Sequence, residues 1–167
     1  GHAAAITQLQ YLLNHAQRFS EAGNTIDYLD DVHRLLAIYY FEHQRFKKAV
    51  LHLRRTLALA PDDIDARARL GSALFLINDA SASIVLREVL KLRPNSPVAA
   101  LYLGLLSITK DQSSEAIKWL LLASKSKLEE VVEADYQLAL IYRDRRQRSQ
   151  AVKHLKRFLD RAKPKQP

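Results

Sequence analysis

Apolar residues recur along this chain with the spacing of helices that each bury one face. A leucine followed by a small residue stands at Leu36-Ala37, Leu70-Gly71, Leu103-Gly104 and Leu138-Ala139. An alanine with a leucine four residues later keeps step with them, at Ala49, Ala82, Ala116 and Ala151. The leucine spacings are 34, 33 and 35 residues, and the alanine spacings are 33, 34 and 35. A fixed period in this range predicts a stacked array of helical repeats.

The apolar pattern and the turn residues between its stretches predict nine helices and no strand. The first helix runs from about Ala3 to Ser20 and lies outside the period. We expect it to be a leading helix that covers the first repeat, and half of a truncated repeat is the alternative. Four helix pairs follow, predicted at about 27–43 and 46–59, 64–77 and 80–92, 98–110 and 113–126, and 131–145 and 149–162.

Proline and capping residues mark several of the predicted helix boundaries. Pro61 and Pro94 end second helices, and Asp62-Asp63 are suited to a helix start. Ser96 is the expected N-cap of the next helix, with Pro97 as its first residue. A glycine or alanine is expected where paired helices cross closely, so a large residue at Gly71 or Gly104 should separate them.

These residues resemble the tetratricopeptide repeat (TPR), whose 34-residue pattern is W-x2-L-G-x2-Y, then A-x3-F, then P. The first repeat reads His33-x2-Leu36-Ala37-x2-Tyr40, Ala49-x3-Leu53, Pro61, and the fourth reads Asp135-x2-Leu138-Ala139-x2-Tyr142, Ala151-x3-Leu155. Tryptophan never fills the tryptophan position, and leucine always replaces the aromatic residue of the second helix. The resemblance implies an all-α fold, an α-solenoid with a right-handed superhelix of about four helix-turn-helix repeats.

The resemblance covers residues 27–164, with repeats expected at 30–63, 64–96, 97–131 and 132–164. Residues 1–26 are expected to hold a tag remnant, Gly1-His2, and the leading helix, and residues 165–167 a tail. Cytoplasmic and periplasmic locations both stay open, as does excision from a membrane-associated protein.

TPR arrays bind other proteins in a concave groove lined by the first helix of each repeat, which implies a non-catalytic scaffold within a larger multi-protein assembly. By resemblance, the groove positions are Arg34, Ile38, Phe41, Ser72, Phe75, Leu76, Leu101, Leu105, Ile108, Tyr136 and Leu140. The Lys, Asn and Arg set with which one TPR mode clamps a C-terminal carboxylate is absent. The apolar centre suits a helix or a hydrophobic segment of a partner, and ordinary packing between repeats is the alternative.

Basic residues are concentrated near the end of the chain. Of 26 Lys/Arg and 18 Asp/Glu, ten basic and two acidic residues lie between Arg143 and Lys165, which leaves sixteen of each elsewhere. The candidate basic patch comprises Arg143, Arg145, Arg146, Arg148, Lys153, Lys156, Arg157 and Arg161. It is either a solvated face or a surface that docks anionic lipid, acidic polymer or nucleic acid. The lack of interleaved aromatic residues disfavours nucleic acid.

The predicted last helix carries apolar residues with no capping helix after them, namely Val152, Leu155, Phe158 and Leu159. Either the array continues in the parent protein, or this end of the chain self-associates.

No pattern of catalytic residues is present. The chain has no cysteine, and its six histidines lack metal-ligand spacing. Neither a phosphate loop nor a nucleophile motif is found. We therefore expect no enzyme, no cofactor and no metal.

Overall fold

The computed structural model describes residues 2–21 and 29–162. The start of the helix predicted at about 27–43, the end of the repeat expected at 132–164 and the tail at 165–167 lie outside the described residues.

Nine α-helices and one 3₁₀ turn lie within these ranges, and no strand does. The helices are α1 His2–Glu21, α2 Leu29–Glu42, α3 Phe46–Leu59, α4 Ile64–Leu76, α5 Ala82–Leu92, α6 Pro97–Thr109, α7 Ser113–Ser124, α8 Glu133–Asp144 and α9 Arg148–Arg161. The 3₁₀ turn, Glu129–Val131, occupies the linker between α7 and α8.

Most predicted boundaries are confirmed to within two residues, and local hydrogen bonds explain the main differences. The carboxylate of Asp79 accepts hydrogen bonds from the backbone N–H and the hydroxyl of Ser81, at 2.9 and 2.6 Å. This side-chain turn delays the start of α5 to Ala82. At the start of α4, Asp63 accepts from the N–H of Ala66 at 2.8 Å, as a helix cap does. Ser96 holds the cap position of α6, but its hydroxyl makes no capping bond.

The turn inside each helix pair has the same geometry in all four repeats. One residue per turn has a left-handed φ: Gln44 at 57°, Asn78 at 57°, Asp111 at 56° and Arg146 at 58°. In each case the next residue donates its N–H to a carbonyl five residues back, for example from Arg45 to Tyr40 at 2.7 Å. This is the Schellman ending of a helix. The four turn positions are spaced by 34, 33 and 35 residues, in step with the leucine series.

The chain divides into two compact units, Gly1–Ala82 and Ser83–Pro167. In the first unit α1 packs along α2, α2 pairs with α3, and α3 packs on α4. The predicted leading helix thus contacts the first repeat, and the amide of Gln10 donates to the hydroxyl of Tyr40 at 3.0 Å. In the second unit α6 pairs with α7, α8 pairs with α9, and α8 packs on α6 and α7.

Most of the repeated leucine and alanine positions are buried. The buried members are Leu36, Leu53, Ala49, Leu70, Ala82, Leu86, Leu103, Ala116, Leu120 and Leu138. A Cβ atom added to Gly104 would lie 2.7 Å from Cγ of Leu120, which is closer than real Cβ contacts come. The close helix crossing predicted at Gly104 is therefore confirmed.

Candidate partner-binding site

An apolar pocket lies on the last helix pair, between α8 and α9. Its volume is about 540 Å³. We call this pocket the terminal pocket. It is lined by Tyr136, Ala139, Leu140, Arg143, Arg146, Arg148, Ala151, Val152 and Leu155. Five of them were predicted as groove or basic-patch residues, so the structure brings the end of the predicted groove and part of the basic patch together.

The terminal pocket includes two side chains, Tyr136 and Leu155, at repeat positions that are buried in the preceding repeat. Leu155 is 42% exposed, whereas Leu120, at the same position of the preceding repeat, is fully buried. Val152 and Tyr136 are also exposed. Exposed apolar side chains grouped around a concavity are typical of interaction surfaces.

The preceding helix pair shows what covers this face when a further helix follows. The counterparts of Tyr136, Leu140 and Leu155 in the preceding repeat lie 35 residues earlier and are Leu101, Leu105 and Leu120. Leu101 and Leu120 share one core cluster with Val131, Ala134 and Leu138 of the α8 region, and Leu105 packs against it. The same face of α6 and α7 is thus covered by a helix. On α8 and α9, no described helix covers it.

The rim of the terminal pocket differs from that of the preceding pair. Arg143, Arg146 and Arg148 correspond to Ile108, Asp111 and Ser113, respectively. All three arginines are exposed. The carboxylate of Asp144 lies 2.9 Å from Arg143 and reduces the positive charge at one side of the rim only. The pocket therefore combines an apolar floor with a cationic edge.

The predicted groove positions lie on the first helices of both units. Arg34, Ile38 and Phe41 are on α2, and Ser72, Phe75 and Leu76 are on α4. Leu101, Leu105 and Ile108 are on α6, and Tyr136 and Leu140 are on α8. Ser72 and Leu101 are buried, so these two side chains belong to packing and do not face solvent. The other nine positions are at least partly exposed.

Arg34 is held by acidic neighbours within the first unit. Its guanidinium lies 2.7 Å from Asp31 and 3.3 Å from Asp30 on its own helix. Its Nε lies 3.6 Å from the carboxylate of Asp63, the cap of α4. These ion pairs compete with any partner carboxylate for Arg34.

The basic patch divides into inward and outward members. The guanidiniums of Arg157 and Arg161 approach the buried carboxylate of Asp135, at 3.6 and 3.1 Å. Arg161 also donates to the carbonyl of Leu128 at 2.9 Å, and Arg157 donates to that of Ser124. The outward members are Arg143, Arg145, Arg146, Arg148, Lys153 and Lys156, all exposed. Of these, Arg145 donates to the hydroxyl of Ser114 at 3.1 Å.

Two polar pairs inside helix hairpins were not predicted from the sequence. His154 lies 2.8 Å from Asp135 in the second unit, and Nδ1 of His33 lies 2.9 Å from Nδ1 of His52 in the first. Both pairs are 19 residues apart, and both begin at the tryptophan position of the repeat. A polar residue at that position with a histidine 19 residues later is the signal that could have found them.

The histidine pair stays uncharged at neutral pH. Burial and then the charge of Arg55 lower the pKa of His33. Burial, followed by His33 and Lys48, lowers the pKa of His52 to about 4. One ring must donate and the other accept across this pair, which requires the accepting ring to be neutral.

The described residues also form a second depression, outside the terminal pocket. A wider depression of about 660 Å³ at the start of α7 is polar and is lined by Arg87, Asp111 to Glu115, and Arg145. Among the described residues, no group of three potential metal ligands comes together. Of the described helices, none is long and apolar enough to span a membrane.

Comparisons with known proteins identify the repeat. Residues 133–163 match the family model described as tetratricopeptide repeat. No curated protein sequence matches the chain.

Solved structures of similar fold include two TPR-like proteins that cover most of this chain. A crystal structure of MamA is 22% identical, covers 94% of this chain and 86% of its own, and has a TM-score of 0.69. MamA 41-end from Desulfovibrio magneticus RS-1 is 19% identical, covers 93% of both chains, and has a TM-score of 0.64. YrrB, described as a TPR protein with an unusual peptide-binding site, is 17% identical and has a TM-score of 0.65. The match covers 95% of this chain and 80% of the YrrB chain. The chain therefore contains a tetratricopeptide repeat at residues 133–163 and has the fold of a tetratricopeptide-repeat domain.

Proposed function

We propose that this chain is a non-catalytic protein-interaction module that binds a segment of a partner protein within a larger assembly. The observation that carries the proposal is the terminal pocket, where apolar side chains at core positions of the repeat stand open to solvent around about 540 Å³ of space. Grouped apolar side chains of this kind are stabilised when a partner covers them.

The predicted groove supplies further contact surface on the first helices. Ile38 and Phe41 on α2, and Leu105 and Ile108 on α6, are only partly buried. Within each unit, side chains that are half covered by their own repeat can still contact a helix or an extended segment of a partner. YrrB, which has a similar fold, is described as having an unusual peptide-binding site, and this supports peptide binding as a use of the fold.

The buried titratable groups support a scaffold rather than an enzyme. Asp135 is paired with His154, and His33 is paired with His52, each pair inside a helix hairpin. Neither pair lines the terminal pocket. A general acid or base must reach a bound substrate, and these groups face the packing of their own helices.

Selection of peptides from a displayed random library on the full chain tests this function. We expect binders whose affinity falls at least about tenfold in Tyr136→Asp or Phe41→Asp, both on first helices. Leu51→Asp is the matched control, because Leu51 is an exposed apolar residue on the second helix α3. Failure to enrich any binder, or equal loss of affinity in Leu51→Asp, would overturn the proposal.

A further inference from the structure

We infer that the terminal pocket takes an amphipathic helix of a partner protein whose apolar stripe is flanked by aspartate or glutamate. This inference rests on the proposed function and names the chemistry of the partner at one site.

The occupant is a helix because the chain itself shows how this face is covered. On α6 and α7 the corresponding face receives α8, which inserts Ala134 and Leu138 above Leu101 and Leu120. Ala134 and Leu138 are four residues apart, so they lie on one side of α8. The face of α8 and α9 repeats the floor of that site at Leu140, Ala151 and Leu155. A floor of the same kind fits a helix with the same small and large apolar residues.

The charge of the partner follows from the rim. The covered face carries Ile108, Asp111 and Ser113 where the open face carries Arg143, Arg146 and Arg148. A helix lying in the pocket would place its flanking residues beside these guanidiniums. Aspartate and glutamate there form charge-assisted pairs, whereas lysine and arginine are repelled.

Arg146 occupies a backbone position where arginine is unfavourable for folding. Its φ is 58°, and the same turn position holds Gln44, Asn78 and Asp111 in the other repeats. Asparagine and aspartate tolerate the left-handed region better than a long side chain does. An arginine at this position, on the rim of an open apolar pocket, is consistent with a binding role for its charge.

The experiment measures binding of defined peptides to the full chain by fluorescence anisotropy. The probe is a labelled 18-residue helical peptide with alanine and leucine along one face and glutamate on both sides of that face. A second peptide has lysine in place of every glutamate. We expect the acidic peptide to bind at least about tenfold more tightly than the basic one, with an affinity that falls as salt is raised.

Matched charge variants place the binding at the pocket. Arg146→Asn with Arg148→Gln removes two rim charges, and we expect it to weaken the acidic peptide about tenfold or more. Lys153→Gln with Lys156→Gln removes the same charge from exposed positions of α9 outside the pocket, and we expect less than a twofold effect. Leu155→Glu alters the floor at a side chain that is already 42% exposed, so the fold should survive and binding should be lost.

Several results would overturn the inference. Equal affinity for the two peptides, or equal effects of the two double variants, would show that the rim does not select an acidic helix. A concentration-dependent dimer in sedimentation that Leu155→Glu dissociates would assign the pocket to a second copy of the chain. Binding to phosphatidylserine vesicles through the rim arginines, without peptide binding, would assign it to a lipid surface.

Failure here is distinguishable from failure of the proposed function. If the acidic peptide does not bind while library-selected peptides still depend on Phe41, the interaction module stands and only the assignment of the terminal pocket is wrong.

Discussion

Nδ1 of His154 lies 2.8 Å from Oδ1 of Asp135, and both side chains are buried between α8 and α9. The same two repeat positions hold His33 and His52 in the first hairpin. A large apolar residue is expected at the first of these positions in a tetratricopeptide repeat. Here a polar contact joins the two helices of the hairpin instead, and removing one partner would leave the other buried without its hydrogen bond.

We expect Asp135→Asn to destabilise the α8–α9 hairpin by about 3 kcal/mol, because Arg157, Arg161 and His154 would face a neutral amide. Hydrogen exchange of residues 129–162 measures this loss locally, since repeat arrays often unfold in parts. Asp144→Asn is the matched control on the same helix. Its carboxylate is exposed and pairs with Arg143, so a change within about 0.5 kcal/mol is expected. A similar loss in both variants would contradict the role given to Asp135.

The first hairpin should lose stability as pH falls. In the unfolded chain His52 takes up a proton near its ordinary pKa of about 6.5, whereas in the folded chain its pKa is about 4. The unfolded state therefore binds more protons between these values, and the free energy of unfolding decreases as pH falls from about 6.5 towards 4. Hydrogen exchange of α2 and α3, corrected for the intrinsic exchange rate at each pH, should show that the free energy of unfolding falls by an amount on the order of 2 kcal/mol.

Removing the histidine pair should remove most of that pH dependence. His33→Phe with His52→Leu leaves two apolar side chains of similar size in place of the rings. His43→Gln, which removes an exposed imidazole just after the end of α2, is the control. If the double variant retains the full pH dependence, the pair is not its source.

Gly104 and Leu120 should show strong energetic coupling. We expect Gly104→Ala to destabilise the α6–α7 hairpin by about 1 kcal/mol, although alanine favours helix, because its Cβ would lie 2.7 Å from buried Leu120 atoms. In Gly104→Ala with Leu120→Ala the clash disappears, so the double variant should be more stable than the sum of the single effects predicts. Chemical denaturation of all three variants measures the coupling, and simple additivity would refute the contact.

Arg146→Asn should stabilise the isolated chain while it weakens partner binding. Asparagine already occupies the equivalent left-handed position at Asn78. The gain should be about 0.5–1 kcal/mol, because the left-handed conformation costs a long side chain more than it costs asparagine. Thermal unfolding measures it, with Arg145→Asn as the neighbouring control outside the left-handed region. A loss of stability in Arg146→Asn would mean that the arginine side chain contributes to the fold.

The basic patch should separate into structural and surface charges. Arg161→Ala should cost about 1–2 kcal/mol, because Arg161 is bonded to buried Asp135 and to the carbonyl of Leu128. Lys153→Ala should change stability by less than about 0.5 kcal/mol, since Lys153 is exposed. Hydrogen exchange of α9 compares the two, and equal effects would contradict the division.

The sequence by itself determined the helices, their turns and most of the core. Helix spacing, prolines and the 33–35-residue period are local properties of the chain, so Phe46–Leu59 and the repeated leucines could be assigned without coordinates. The close crossing at Gly104 followed from the same register, because only a small residue fits where paired helices meet.

The tertiary structure alone decided which equivalent residues are exposed and which charges are paired. Leu120 and Leu155 hold the same repeat position, yet only Leu120 is buried, because burial depends on whether another helix lies above the residue. Likewise Arg161 turns towards Asp135 while Arg146 stays at the pocket rim. The two arginines have the same side chain, but only Arg161 forms an ion pair with a buried carboxylate. Helix packing sets the distance to that carboxylate, and a local sequence pattern does not contain this information.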